Sequence, residues 1–179
     1  MSDKTEQQFE NPQIQLADTP KHEDLVLQPI AKRYWNIIVI RLLIRFLAIG
    51  VVIFSLILSI DPLNAYLWPV LIIYLLVVGL SFYWQRTAFP KRGFAIRKHD
   101  IIYRRGVLST IKTIVPFQRV QHVAVNESFL SRKYGLAQLQ VFTAGGSSSD
   151  IKISGLEKED AERMKSQIML HMVEPQQNA

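Results

Sequence analysis

The sequence predicts a membrane-embedded helical hairpin followed by a small antiparallel β domain that closes with one amphipathic helix. Three observations carry this. Leu63 to Trp84 is 22 residues without a charge, and Ile37 to Ile60 is a second apolar run broken only by Arg41 and Arg45. Between residues 91 and 157, short β-branched segments alternate with glycine, proline and serine, the punctuation of strands and turns. Beyond that point, apolar residues recur at helical spacing.

Residues 1–29 carry six acids against Lys4 and Lys21 and are interrupted by Pro12, Pro20 and Pro29, with no apolar stripe of useful length. Such a composition buries too little apolar surface to offset chain entropy, so a disordered cytoplasmic tail is expected here. Residues 30–90 form the hairpin, with spans expected at about 37–60 and 63–84. Roughly 20 apolar residues cross a hydrocarbon core of about 30 Å. The first run starts behind an acidic segment rather than a short basic one, so a cleaved signal peptide is not expected.

Charge sets the orientation. Lys32, Arg33, Arg41 and Arg45 flank or enter the first span, and Arg86, Lys91 and Arg92 follow the second, whereas the turn from Asp61 to Tyr66 has no Lys or Arg. The positive-inside rule places both termini in the cytoplasm. Tyr34, Trp35, Trp68, Trp84 and Arg86, with Arg41 and Arg45, are the expected interface anchors, since amphipathic rings and long cations favour headgroup depth. Arg41 and Arg45 lie four apart on one helix face. They either reach back to the headgroups or face a second helix or a lipid phosphate as a pair. Pro69 fits a first-turn or kink position.

Residues 91–173 form the β domain, and 174–179 a second disordered tail. Phe94–Arg97 and Ile101–Arg104 flank the polar turn Lys98-His99-Asp100 as a hairpin. Ile111–Val115 and Val120–Val125 follow as strands, the latter with Val120, His122 and Ala124 on one face. Leu139–Thr143 and Ile151–Ser154 flank Gly145-Gly146 and three serines, which suit a turn. Ser154-Gly155-Leu156-Glu157 has the form of a capping box. Beyond it Ala161, Met164, Ile168 and Met172 form a helical stripe able to cover an open end of the strands.

The run Val115-Pro116-Phe117-Gln118-Arg119-Val120-Gln121-His122-Val123, then Tyr134-Gly135-Leu136-Ala137, Phe142-Thr143-Ala144-Gly145-Gly146 and Ile153-Ser154-Gly155-Leu156, resembles the bacterial PH-domain family of YdbS-like membrane proteins. The resemblance covers roughly residues 30–173. It implies a PH-like antiparallel β-sandwich of about seven strands capped by the C-terminal helix. It also implies a bacterial inner-membrane location and a larger PH-domain membrane protein, or a second copy of the chain, as partner. The motif residues have structural roles to fill: Pro116 and Arg119 in a turn, Gly135, Gly145 and Gly146 at positive φ, and His122 as a hydrogen-bonded histidine in or near the core. A polar site at Arg119 and His122 is the sharper alternative.

No catalytic pattern stands out. The chain of 179 residues has no cysteine, which excludes disulfides, thiolate nucleophiles and CxxC zinc sites. Its four histidines show no metal-ligand spacing, so neither metal nor cofactor is expected. Glu157, Glu159, Asp160 and Glu162 complement a helix N-terminus. Ser147-Ser148-Ser149 lacks a nucleophile-elbow context. The expected protein is not an enzyme.

The net charge of +6 is unevenly placed. Arg86 to Lys133 holds eleven Lys and Arg against Asp100 and Glu127. These charges either set topology or grip an anionic partner through Arg97, Lys98, Arg104, Arg105, Arg119, Arg132 and Lys133. In eukaryotic PH domains the first hairpin carries a lysine and two spaced cations for phosphoinositides. Here Lys98 is followed by Arg104-Arg105-Gly106 without the last spaced arginine. Nucleic acid is not an expected partner, because no aromatic basic platform accompanies the charge. The expected function is a non-catalytic, membrane-anchored module that docks a partner membrane protein or anionic lipid headgroups at the cytoplasmic leaflet. The rival is an accessory subunit of a transporter or envelope-stress complex that acts through its hairpin.

Overall fold

The computed structural model describes residues 26–60, 65–144 and 151–173. Expectations for residues 1–25, for the turn at 61–64, for Gly145-Gly146 and the serines, and for the tail at 174–179 lie outside these.

Helix α1 spans Tyr34–Ser59 and α2 spans Leu67–Ala88, both long and apolar enough to cross a membrane. They pack as an antiparallel pair. Gly50 makes room for Tyr74, whose hydroxyl donates to the Phe46 carbonyl at 2.6 Å; a Cβ at Gly50 would stand 2.9 Å from the Tyr74 hydroxyl oxygen. Ser59 and Ser81 turn their hydroxyls onto their own helices, to the carbonyls of Ser55 and Val77. In an apolar surrounding this satisfies groups that would otherwise be costly to bury. Pro69 falls in the first turn of α2, where its missing N–H costs nothing.

The β domain is two antiparallel sheets and a closing helix. One sheet has the order β1 (Gln28–Pro29), β2 (Gly93–Ile96), β3 (Asp100–Arg105), β4 (Ile111–Pro116). The other has β5 (Val120–Asn126), β6 (Leu136–Thr143) and β7 (Ile151–Glu157). A short helix α3, Phe129–Lys133, links β5 to β6, and α4, Lys158–Val173, follows β7. Alternate residues of both sheets, among them Phe94, Ile101, Tyr103, Leu139, Val141 and Ile153, meet in one core. Ala161, Met164 and Ile168 of α4 close it, with Met172 partly buried beside them, as the helical stripe predicts. This is the expected PH-like sandwich with its C-terminal helix and seven strands.

The sequence reading places six strands, and the seventh lies where it expects none. Gln28 and Pro29, assigned to the N-terminal tail, pair antiparallel with Phe94 and Gly93. The chain therefore enters the β domain before it enters α1. Ala31 N–H donates to the Gly155 carbonyl at 2.9 Å, and the next turn places Tyr34 against Gly155. Tyr34, Ile37, Ile38 and Leu42 are buried with Ile30 and Leu136 in a second cluster. The first turns of α1 thus belong to the β domain. Its 26 residues span about 39 Å, more than a bilayer core of about 30 Å requires.

The exit from α2 is equally tight. After Ala88 a single 3-10 turn, Phe89–Lys91, leads to β2 at Gly93. The ring of Trp35 packs edge-on to Phe89 at 5.7 Å. The domain is clamped to both helices.

Three further expectations fail for identifiable reasons. Ser154–Glu157 is no capping box, because these residues are the end of β7 and α4 starts at Lys158. Gly155, at φ +84°, sits where the β6–β7 register slips, a conformation that suits glycine. His122 is not in the core: the β5–β6 register also slips between Val120 and His122. The slip leaves Val120 buried and His122 exposed, stacked on Phe142 at 4.0 Å, while Val123 and Val125 pack toward the core. Tyr34, expected at the membrane interface, is 6% exposed inside the cluster with Leu136.

Candidate functional site

The basic residues singled out by sequence do not form one cluster. Arg97 and Asp100 close the β2–β3 turn: the Arg97 Nε donates to Asp100 Oδ1 at 2.6 Å, and a second guanidinium nitrogen binds Oδ2. This hydrogen-bonded carboxylate raises the Arg97 pKa further. Arg97 is therefore committed to a local partner, and Lys98 stands exposed in the same turn. Arg104 and Arg105 lie at the other end of β3, about 17 Å away at 3.4 Å per residue. Arg104 is level with Gly93 and Lys112, and its Nε is buried without a hydrogen-bond partner among the described residues. Arg119 ends the 3-10 turn before β5, exposed. Arg132 and Lys133 stand on α3. A single grip built from all seven is not what the fold offers.

A different set does converge. On α1, Ile37, Ile38 and Leu42 are buried, whereas Leu43, Ile44 and Leu47 are more than half exposed. The contacts Trp35–Phe89 and Gly50–Tyr74 follow one antiparallel register, which sets Arg41 level with Tyr83 and Trp84. From there outward both helices present a continuous exposed apolar surface. Residues 43–59 and 67–84 each cover about 26–27 Å along the axis, close to a bilayer core. Arg41 and Arg45 stand at its edge. Arg86, one turn beyond Tyr83 and Trp84, lays its guanidinium 5.4 Å from the centre of the Trp35 ring.

The rim is completed by α3. Arg41 Nη2 donates to Ser128 Oγ at 3.2 Å, and Ser128 caps α3 by accepting from the Ser131 N–H at 3.3 Å. Leu130 and Tyr134, on either side, pack into the cluster around Ile37 and Leu136. Arg132 and Lys133 are thereby carried beside the N-terminal part of α1. On the other side, Lys91 Nζ donates to the Val107 carbonyl at 3.1 Å, tying the β3–β4 loop to the foot of α2.

Few acids oppose these cations. Glu127 holds Lys158 at 2.8 Å and Arg132 at 3.8 Å; Glu159, Asp160 and Glu162 pair with Arg163 and Lys165 on α4. Arg41, Arg45, Arg86, Lys91 and Lys133 have no ion pair among the described residues. Nearby, burial pushes the Tyr103 hydroxyl pKa up, and Arg92 and Arg105 offset part of that rise.

A small cleft of about 150 Å³ lies elsewhere, between β1, β7 and the start of α4. It carries the carboxylates Glu157 and Asp160 and has the wrong sign for an anion. No group of His, Cys, Asp and Glu among the described residues is placed to hold a metal. Sequence reasoning missed Ser128 and α3, because five residues are too few to show a period. It placed Arg41 at the headgroups, a second helix or a lipid phosphate, and did not foresee that Arg41 reaches Ser128 of the β domain.

The bacterial PH domain family model matches residues 38–172. Among curated proteins, the chain is 35% identical over 75 residues to the transmembrane protein YdbS of Bacillus subtilis (strain 168). That alignment covers 42% of this chain and 45% of the relative, so it spans less than half of the relative's length. No solved structure matches.

Proposed function

The chain belongs to the bacterial PH domain family, and from that premise we propose that it is a non-catalytic binding module that engages anionic lipid headgroups. Its hairpin holds the module at the cytoplasmic leaflet of a bacterial inner membrane, with both termini inside. One observation carries this reading: Arg41, Arg45, Arg86, Lys91 and Lys133 ring the edge of the exposed apolar surface without acidic partners among the described residues. Cations near an anionic surface gain about 1 kcal/mol each within a Debye length. The absence of Lys and Arg from the opposite turn supports this orientation. Clamping to both helices keeps the cations at headgroup depth without the ordering cost of a flexible tether.

The test is lipid selectivity of the full chain. Extracted from membranes of mixed phosphatidylglycerol and phosphatidylcholine, it is expected to retain the anionic lipid in excess. Neutralising Lys91 and Lys133, with Arg132 beside them, to Gln is expected to reduce that excess. Equal retention of both lipids overturns the reading.

A second reading, docking of another membrane protein through the hairpin, draws on Gly79. Nothing lies within 4 Å of where its Cβ would be, leaving a bare patch of backbone on α2 for a neighbouring helix. The partner would be a larger PH-domain membrane protein or a second copy. Replacing only residues 46–84, and so keeping the first turns of α1 that pack into the β domain, by unrelated membrane-spanning sequence discriminates: loss of the cellular role favours the hairpin reading, and retention favours the β domain.

A further inference from the structure

The short helix α3 exposes a residue that the lipid reading leaves unused. Phe129, at its first position, is 85% exposed, although large aromatic side chains are normally well buried. Its neighbours are fixed. Ser128, immediately before it, is bonded to Arg41 at the edge of the apolar helical surface, and Leu130, immediately after it, packs against the base of α1. Phe129 is therefore held beside the hairpin at the depth of Arg41, facing away from the protein. Arg132 and Lys133, one turn later, are also exposed. An apolar tip followed by two cations beside a membrane-spanning helix matches the order of a bilayer surface, with acyl chains first and headgroups around them.

We propose that α3 is a second membrane contact, in which Phe129 enters the acyl–headgroup boundary while Arg132 and Lys133 bind the phosphates of anionic lipids. The proposal rests on the lipid reading above and deepens it, since it adds an inserted side chain to a surface attraction. It also fixes a function for the Arg41–Ser128 bond, which sets the depth of α3 relative to α1. The occupant is lipid rather than a protein partner, because Phe129 stands beside the apolar helical surface and the exposed charges on α3 itself, Arg132 and Lys133, are positive.

The native chain contains no cysteine, so a single Phe129→Cys variant takes an environment-sensitive fluorophore at one place. Because position 129 is exposed, the substitution leaves the packing intact. An Arg163→Cys variant, labelled on the exposed face of α4, is the reference. The full chain is reconstituted in phosphatidylcholine vesicles with and without phosphatidylglycerol. The expected result is blue-shifted emission at 129 and several-fold stronger quenching by acyl-chain nitroxide lipids than at 163, with a further increase in the anionic vesicles. Aqueous emission at 129, quenched by iodide as readily as at 163, overturns the proposal. If the full chain still retains anionic lipid selectively in that case, the headgroup reading stands and only the inserted contact fails. A phenylalanine reserved for a protein partner gives the aqueous result, because the vesicles contain no partner.

Discussion

Tyr34, the first residue of α1, lays its ring across the backbone of Gly155 at the β6–β7 irregularity, so closely that a Cβ at 155 would stand 2.5 Å from Tyr34 Cγ. This contact joins a membrane helix to the β-sandwich. The φ of +84° at Gly155 and the missing side chain serve the same junction. Gly155→Ala is expected to destabilise the protein by about 2–4 kcal/mol, from left-handed strain and overpacking together. Unfolding of the full chain in mild detergent checks this. Adding Tyr34→Ala should recover part of the loss, because the two sites share one contact.

The β domain is not complete from residue 91 onward. A fragment of residues 91–173 lacks β1 and loses the cover that Ile30, Tyr34, Ile37, Ile38 and Leu42 give to Leu136. Fully burying each such side chain contributes about 1.5–3 kcal/mol, and the total rivals a typical domain stability of about 5–15 kcal/mol. The fragment is expected to aggregate or to lack dispersed amide resonances. Joining residues 26–42 ahead of residue 89 by a short linker should restore dispersion, since Trp35 and Phe89 already touch. A well-dispersed spectrum from 91–173 alone would contradict the account.

The Arg41–Ser128 bond couples α1 to α3. Ser128→Ala removes the α3 cap as well and is expected to cost about 1 kcal/mol. Arg41→Ala alone should cost less, because the bond is exposed. A double-mutant cycle should give a coupling of about 0.5 kcal/mol. Ser128→Asp keeps a capping oxygen and adds a charge facing Arg41, and it is expected to raise stability at low salt and lose that gain at high salt.

Tyr103 supplies an alkaline limit. Its hydroxyl pKa is raised above 10.0, chiefly by burial and against the pull of Arg92 and Arg105. Below 10.0 both folded and unfolded states keep the proton, so the full stability is present. As pH rises past that value the unfolded state ionises first, and stability falls until the folded-state pKa is reached. Unfolding measured across this window should show a shallower decline for Tyr103→Phe than for the native chain. Identical slopes would contradict the assignment.

Much of this architecture is legible in the residues. Two apolar runs specify two helices because length and hydropathy leave few alternatives, and β-branched segments between Phe94 and Ile153 mark the other strands to within three residues at each end. The stripe Ala161, Met164, Ile168 identifies the buried face of α4. Where reading failed, the cause was contact distant in sequence. Gln28 and Pro29 are a strand only because β2 offers an edge to them. His122 and Ser154–Glu157 were misread because bulges break the period of two on which the faces depend. The basic residues were visible as a group, but only the fold separates Lys98 from Arg104 and Arg105 and brings α3 to Arg41.

In the proposed function, a rim of cations fixed to the hairpin by the β domain selects anionic lipid. The most direct measurement is the relative association of spin-labelled phosphatidylglycerol and phosphatidylcholine with the reconstituted full chain as salt is raised. A several-fold preference for phosphatidylglycerol is expected at low salt. That preference should shrink as salt rises, and also when Lys91, Arg132 and Lys133 are replaced by Gln. Equal association of the two lipids at every salt concentration, unchanged in the variant, would contradict the proposed function.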